Sequence, residues 1–217
     1  MRRAARVESE TRAARDQYMY RQSVTVEELN DRGVRVGDYR EVREVIFSPA
    51  RERIEQLVGV PASNLKRLVL TEEDFRDIRD VQPFVLTEDE LWNYDTRFRG
   101  EENIDDVDCW VLEVRPKRML EGMRLFEGML WIGKQDYGIV RLQGQAVPPV
   151  YRNGKENLFP HFTTLRKQID GRHWFPIFTY GDDTLPFRTG PQRIRLTIRY
   201  MNYRRFGADS TVKFGKP

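Results

Sequence analysis

Few residues of the chain are of the types that carry metal or covalent chemistry. Among 217 residues there are two histidines, His161 and His173, and a single cysteine. The histidines lie on neighbouring predicted strands joined by the turn Asp170-Gly171, so they could approach each other. A zinc site needs two or three such ligands together with a carboxylate or a thiolate. No HExxH motif is present, and we expect both histidines to be polar strand residues and the protein to bind no metal.

The cysteine, Cys109, is a second candidate, because a thiol beside a histidine can act as a nucleophile. It lies in the middle of the predicted strand 107–115, where a thiol usually serves as a small buried apolar group. The acidic clusters Asp105–Asp108 and Gly181–Asp183 lack the glycine and terminal glutamate of a calcium loop, and we interpret both as turns. GxGxxG, Walker A and GxSxG motifs are also absent, so we expect no catalytic residue and no cofactor. A binding protein is the favoured interpretation, with a hydrolase of unknown type as the enzymatic alternative.

The sequence pattern predicts an antiparallel β protein with little helix. Residues 2–16 are rich in alanine, arginine and glutamate and contain no glycine or proline, which predicts a helix. Thr71 is a suitable N-cap for a short helix that ends near residue 80, and a second short helix is predicted over 87–92. Short connectors leave no room for the crossover helices of a parallel sheet. The predicted strands are 18–29, 34–47, 51–58, 94–100, 107–115, 124–132, 137–145, 159–169, 173–180, 194–205 and 210–214.

The alternation of side chains predicts which sides of the sheet are buried. In 194–200 apolar residues alternate with arginines and a threonine, so this strand has one dry side and one solvated side. In 107–114 and 124–132 both sides are largely apolar. We therefore expect the central strands to be covered on both sides or to line a cavity, as in a long curved sheet that wraps around a helix.

Composition and charge exclude several classes of protein. Charged residues make up 33% of the chain, and 37 lysines and arginines nearly balance 34 aspartates and glutamates. The arginines are spread along strands, so no nucleic-acid partner is expected. One cysteine cannot build a disulfide framework, and no apolar run approaches the roughly 20 residues of a membrane helix. The basic residues 1–6 are not followed by the apolar stretch of an export signal.

Five segments follow one another in an order that resembles a known family. They are YREVREVIFSP at 39–49, IDDVDCWVLEVRPK at 104–117, RLFEGMLWIGKQ at 124–135, DYGIVRLQG at 136–144 and DGRHWFPIFTYGDD at 170–183. The most telling motifs are the strand end EVRPK, the strand FEGMLWI, and the DG turn followed by WFP. Over about residues 18–214 the chain resembles the LolA/LolB-like superfamily of bacterial outer-membrane lipoprotein-sorting proteins.

The resemblance implies a mainly β (α+β) fold. The expected architecture is an incomplete antiparallel β-barrel of about eleven strands, with short helices covering its open concave side. We expect a single domain over 1–217, in which 1–16 form an N-terminal helix and 61–92 form a helical lid. The family's function implies a non-enzymatic carrier in the periplasm or cell envelope, from which an export signal has been removed. We expect a monomer that binds the acyl chain of a lipoprotein or another apolar ligand, with peripheral contact to a membrane surface.

The expected binding site is a hydrophobic cavity between the sheet and the lid. Apolar residues of the central strands would share the dry concave side, and three lid residues would face them. Because the large apolar residues of 61–92 are spread out, we expect this segment to be a movable cover. The expected ligand-binding residues are Leu68, Phe75, Ile78, Trp110, Leu112, Phe126, Leu130, Ile132, Leu196 and Ile198.

A second hypothesis gives the same fold a different use. Some members of the superfamily sense envelope stress, and the chain could be an envelope sensor or scaffold that binds another protein. Its contact surface would be the solvated side of the strand 194–205 and the residue before it, with Arg193, Arg195 and Arg199. Lipid that co-purifies with the protein would favour the carrier hypothesis, and a co-purifying protein partner would favour the sensor hypothesis.

Overall fold

The computed structural model describes residues 1–48, 50, 52–80, 86–119, 124–152 and 155–206. The helical elements of these residues are α1 (Arg2–Arg15), α2 (Glu72–Asp80) and a 3-10 turn at Leu91–Asn93. Neither of these helices is long and apolar enough to cross a membrane. The strands are β1 (Tyr18–Leu29), β2 (Arg35–Phe47), β3 (Arg53–Leu57), β4 (Ala62–Ser63), β5 (Tyr94–Ile104), β6 (Val107–Pro116), β7 (Leu125–Gly133), β8 (Ile139–Val147), β9 (Val150–Arg152), β10 (Lys155–Asn157), β11 (Phe162–Ile169), β12 (His173–Leu185) and β13 (Gln192–Arg205).

Eleven of these strands form one antiparallel sheet, which does not close into a barrel. The order is β3-β2-β1-β13-β12-β11-β8-β7-β6-β5, with β4 paired to β2, while β9 and β10 form a separate hairpin. Most neighbours are consecutive in the chain because the connectors are of hairpin length. The exceptions are β8 with β11, across the β9-β10 hairpin, β2 with β4, and β1 with β13. The prediction of an incomplete antiparallel barrel of about eleven strands is confirmed.

A few elements differ from the prediction. The turn predicted at Gly181–Asp183 is wrong, because these residues lie inside β12. The strand continues there because both carboxylates have polar partners: Asp182 accepts a hydrogen bond from Arg195, and Asp183 lies beside the ring of His161. The helix predicted at 87–92 is only a turn at 88–90 followed by the 3-10 residues. The predicted strand 210–214 lies outside the described residues.

Both sides of the sheet are apolar at β6 and β7, as the sequence predicts. On one side Leu130 belongs to the largest core cluster, and on the other side Cys109 and Trp131 form a smaller one. The two helices pack on the side of Leu130. Ala4 of α1 lies in the largest cluster, and Ile78 of α2 lies in the neighbouring cluster on β1 and β13. We call this side the inner face and the opposite side the outer face.

The connection from β4 to β5 runs between the two edges of the sheet and therefore passes over the inner face. Its first part packs on β1 and β13 through Leu68 and Ile78. Its last part packs on β7 and β8 through Leu86 and Leu91. The strand order thus places α2 and its flanking residues over the sheet, independently of their own helical preference.

The edge formed by β5 is polar over most of its length. Arg97, Arg99, Glu101 and Glu102 are exposed along it. Arg99 reaches back to Glu113 of β6, and Lys134 donates to Glu101 at 2.6 Å. Phe98 is the exposed aromatic residue of this edge, with 58% of its surface accessible.

Helix α1 crosses the inner face along the direction in which the strands succeed one another. Its first turn places Ala4 on the cluster of β7 and β8, and in its last turn Arg15 lies over the ring of Phe47 in β2. Between these contacts, Glu8 accepts two hydrogen bonds from the guanidinium of Arg166 in β11, at 2.7 and 2.9 Å. The two side chains are 2% and 0% exposed, so this is a buried bidentate ion pair. It attaches the helix to the middle of the sheet.

Removal of the charge of Glu8 should destabilise the protein strongly. In Glu8→Gln the buried guanidinium of Arg166 loses the carboxylate that neutralises it, and breaking one side of a buried pair costs about 3–5 kcal/mol. We expect urea denaturation to show this loss in the free energy of unfolding. The matched control is Glu88→Gln, which removes the exposed partner of Arg6 and should cost at most about 1 kcal/mol. Equal losses in the two variants would show that the buried pair does not hold the helix.

Candidate functional site

The inner face carries an open cleft at the first turn of α1. Its volume is about 440 Å³, which is in the range of sites for small molecules. The floor is made by β6 and β7, and one wall is made by the edge strand β5. Within the described part of the chain, the lining combines apolar side chains with two guanidinium groups and includes no carboxylate. Its lining residues are Met1, Arg2, Arg3, Ala4, Phe98, Trp110, Leu112, Ile132 and Tyr137.

The cleft exists because α1 places little apolar volume at this point. Ala4 is buried there but supplies one methyl group, while Arg2 and Arg3 are exposed. Trp110 consequently stays half-buried, and its ring packs on Tyr137 with centroids 5.6 Å apart. The apolar floor is therefore accessible without unfolding any element.

A second, narrow cleft lies beneath α2 at the other end of the inner face. Its volume of about 30 Å³ has room for only two or three water molecules. Leu68 and Ile78 of the connection and Val26 and Leu196 of the sheet are among its walls. This half of the inner face is filled by the protein's own side chains.

The ten expected binding residues all lie on the inner face, but they do not surround one cavity. Three of them line the open cleft: Trp110, Leu112 and Ile132. Three line the narrow cleft: Leu68, Ile78 and Leu196. The remaining four pack within the surrounding core clusters: Phe75, Phe126, Leu130 and Ile198. Their role in ligand binding stays a prediction.

Phe126 fills the middle of the inner face because two glycines make room for its ring. Gly128 and Gly144 are directly opposite each other in β7 and β8. A Cβ atom on either glycine would lie 2.8 Å from the ring of Phe126 and even closer to the backbone of the other strand. The ring is also 6.1 Å from that of Phe162. Phe126 is therefore packed within the core cluster of β7 and β8.

A buried carboxylate anchors the start of the segment 61–92. Glu28 of β1 accepts hydrogen bonds from the backbone N–H groups of Lys66 at 2.6 Å, of Arg67 at 2.7 Å and of Leu68, and from Gln192 at 2.8 Å. Burial alone would raise the pKa of the Glu28 carboxyl, but these donors outweigh it and lower the pKa. The sequence shows Glu28 only as one polar residue of a strand, so this anchor was not predicted.

Two further carboxylates anchor α2. Asp74 accepts from the backbone N–H of Thr71 at 2.6 Å, which confirms Thr71 as the start of the helix, and from Asn157 at 2.7 Å. Asp77 accepts from Arg124 at 2.8 Å, and Arg124 also donates to the carbonyl groups of Pro148 and Asn157. Burial raises the pKa of Asp77 to about 6, against the opposing charge of Arg124. Whether the segment 61–92 moves as a cover stays a prediction.

The candidate chemical residues are not brought together. The Nδ1 atom of His161 lies 2.8 Å from Oδ2 of Asp183 at one end of the β11-β12 hairpin. His173 lies opposite Ile169 at the other end. The expectation that the histidines could approach each other was therefore wrong. Cys109 is buried in the outer-face cluster, and burial raises the pKa of its thiol to about 11. Within the described ranges, no three His, Cys, Asp or Glu side chains are placed to hold a metal ion.

The proposed arginine contact surface is largely neutralised. Arg193 and Arg195 both donate to Asp182 of β12, and Arg195 also lies 3.4 Å from Glu27 of β1. Arg199 lies over the ring of Phe178, 5.1 Å from its centroid. These arginines mainly hold neighbouring strands together on the outer face.

Comparisons with known proteins find similar solved structures at low sequence identity. No protein-family model matches the chain, and no curated protein matches it. The chain is similar to a DUF1329 family protein from Desulfovibrio piger, with 15% identity, 95% of this chain and 93% of that chain covered, and a TM-score of 0.43. It is also similar to an outer membrane lipoprotein-sorting protein domain from Vibrio parahaemolyticus, with 12% identity, coverage of 94% and 92%, and a TM-score of 0.39.

A third similar structure is a LolA superfamily protein from Nitrosomonas europaea, with 14% identity, coverage of 93% and 94%, and a TM-score of 0.38. The second and third structures belong to the group that the sequence motifs resemble.

The buried carboxyl of Asp77 should give the stability a distinct pH dependence. Its pKa is raised from 3.8 to about 6 on folding, so the folded protein binds this proton more tightly than the unfolded chain. The free energy of unfolding should therefore fall as the pH rises from about 4 to about 6, by about 2–3 kcal/mol from this group. Asp77→Asn should remove that part of the slope in urea denaturation series. Arg124, Asp74 and Arg76 are the charged groups beside it.

A second variant checks the sign of this effect. The hydrogen bonds of His161 and Thr184 outweigh burial at Asp183 and lower the pKa of its carboxyl. Stability from this carboxyl is lost as the pH falls, which is the opposite direction. Because that pKa lies below 3.8, the loss falls below about pH 4. Asp183→Asn should therefore reduce the loss of stability below pH 4 and leave the slope between pH 4 and 6 nearly unchanged, whereas Asp77→Asn should make that slope less negative. A slope unchanged by Asp77→Asn would contradict the raised pKa.

Proposed function

We propose that the protein is a non-enzymatic carrier of the periplasm or cell envelope that binds the acyl chain of a lipoprotein or another apolar ligand. The open cleft at the first turn of α1 is the observation that carries this proposal. It presents half-buried apolar side chains around a volume of about 440 Å³. Covering such surface with an acyl chain is favourable by roughly 25 cal/mol per Å² removed from water. The motifs shared with the LolA/LolB-like superfamily supply lipoprotein sorting as the context.

The acyl chain would first contact the residues that are already accessible. These are Trp110 and Leu112, which are half-buried in the floor of the open cleft, whereas Ile132 of the same floor is buried. Leu68 and Ile78 line the narrow cleft, so they would contact a chain only after α2 shifts away from the sheet. In this proposal α1 is the fixed part of the cover, because of its buried ion pair, and 61–92 is the part that can move.

Exchange of one leucine for glutamine in each cleft tests this assignment. Leu112 and Leu68 are both half-buried leucines on the inner face, and they line different clefts. A glutamine places an amide against the acyl chain, which costs about 1–3 kcal/mol. We expect Leu112→Gln to weaken binding of a synthetic diacylated lipopeptide about tenfold or more, and Leu68→Gln to change it less than about threefold.

Native mass spectrometry of the purified protein with the lipopeptide, and displacement of a fluorescent fatty acid, measure this binding. The absence of saturable binding by the unmodified protein would overturn the carrier proposal. A larger loss in Leu68→Gln than in Leu112→Gln would place the ligand beneath α2 instead. A tightly co-purifying protein without bound lipid would favour the sensor or scaffold hypothesis.

A further inference from the structure

Two arginines at the mouth of the open cleft lack the partners that the other arginines of α1 have. Arg6 pairs with Glu88, Arg12 with Asp89 and Arg15 with Asp16. Arg2 and Arg3 make no ion pair with any carboxylate in the part of the chain that the structure describes. Both are exposed, and both line the cleft. The positive charge of the helix is therefore neutralised everywhere except at the cleft.

Arg3 is held at the cleft wall by an aromatic residue. Its guanidinium lies 5.4 Å from the ring centroid of Tyr137 and donates to the Tyr137 hydroxyl at 2.9 Å. Tyr137 itself has a φ of 62°, a conformation that costs energy for a residue with a side chain and that is found preferentially at functional sites. Its ring is packed against Trp110 on the other side. The strained turn thus places one aromatic ring between the cation and the apolar floor.

The cleft has an apolar part and a charged part, as an amphiphile does. The floor around Trp110 and Leu112 is apolar, the mouth carries Arg2 and Arg3, and none of the described residues that line the cleft is acidic. Guanidinium groups form strong charge-assisted hydrogen bonds with carboxylates and phosphates. A neutral diacyl chain would use the floor and leave the two cations unused.

We propose that the cleft takes acyl-chain amphiphiles with a negatively charged head, and that Arg2 and Arg3 bind this head while an acyl chain lies on Trp110 and Leu112. The inference rests on the proposed function, because it requires the cleft to accept an acyl chain. It adds a head-group preference that the apolar floor alone does not give. The head is a carboxylate or a phosphate monoester, as in a fatty acid or a lysophosphatidate.

Three ligands with the same chain separate these possibilities. Palmitate carries a carboxylate, 1-palmitoyl lysophosphatidate carries a phosphate, and 1-monopalmitoylglycerol is neutral. We expect the unmodified protein to bind the two anionic ligands about tenfold more tightly than the neutral one in calorimetric titrations below their critical micelle concentrations. The preference should shrink at high salt, because the head-group site is exposed. The order of the two anionic ligands shows which head fits better.

The double variant Arg2→Gln/Arg3→Gln tests the assigned residues. It should weaken binding of palmitate and lysophosphatidate about tenfold and change binding of monopalmitoylglycerol less than twofold. Arg12→Gln is the matched control, because it removes one exposed arginine of the same helix away from the cleft. It should leave all three affinities unchanged.

The outcomes distinguish this inference from the proposed function. If none of the three ligands binds, the cleft is not an acyl site and both proposals fail. If all three bind equally and the double variant changes nothing, the carrier proposal stands and the head-group site is wrong. If the double variant weakens the neutral ligand as much as the anionic ones, the arginines act on the shape of the cleft and the charge argument is wrong.

Discussion

The buried ion pair between Glu8 and Arg166 is the constraint on which the arrangement of the inner face depends. Arg166 lies in β11, near the middle of the sheet, and its side chain is fully buried. A charge removed from water needs an opposite charge and hydrogen bonds close by, because its transfer alone costs many kcal/mol. Glu8 supplies both. If α1 left the sheet, the buried guanidinium of Arg166 would lose this carboxylate. The positions of the first and last turns of the helix follow from this one attachment.

This attachment divides the inner face into two unequal halves. On the side of β1 and β13, the connection between the sheet edges brings large apolar residues and leaves almost no space. On the side of β6 and β7, α1 contributes only Ala4, and the open cleft remains. Phe159 packs against both core clusters and lies where the halves meet. The same fold therefore has one closely packed half and one half with an accessible apolar floor.

The strands could be predicted from the sequence because the alternation of side chains that indicates a strand involves only neighbouring residues. β1 begins and ends at the predicted residues, and its burial alternates between buried and half-buried positions up to Glu28. The contacts between distant residues could not be predicted. Glu8 is one of many charges on a polar helix, and its partner is 158 positions away. Asp182 and Asp183 follow a glycine, a composition shared by turns and strands, and only their cross-strand partners make them a strand.

The candidate site shows the same limit. Alternation placed Trp110, Leu112 and Ile132 on the dry side, and these residues line the open cleft. It could not show that Arg2, Arg3 and the strained Tyr137 complete that cleft, because their positions depend on where α1 lies. The family resemblance predicts that 61–92 covers the sheet, but the anchoring of this segment by Glu28 requires three successive backbone donors that no side-chain pattern reveals.

The exposed charges along β5 have a consequence for how the protein behaves at high concentration. An uncovered edge strand can add a strand from a second molecule, and the exposed arginine and glutamate side chains of β5 oppose such pairing. β5 is also the wall of the open cleft, through Phe98. A neighbour that extended the sheet at this edge would stack its own strand beside the entrance. The charges that keep molecules apart along β5 therefore also keep the route for an incoming ligand clear.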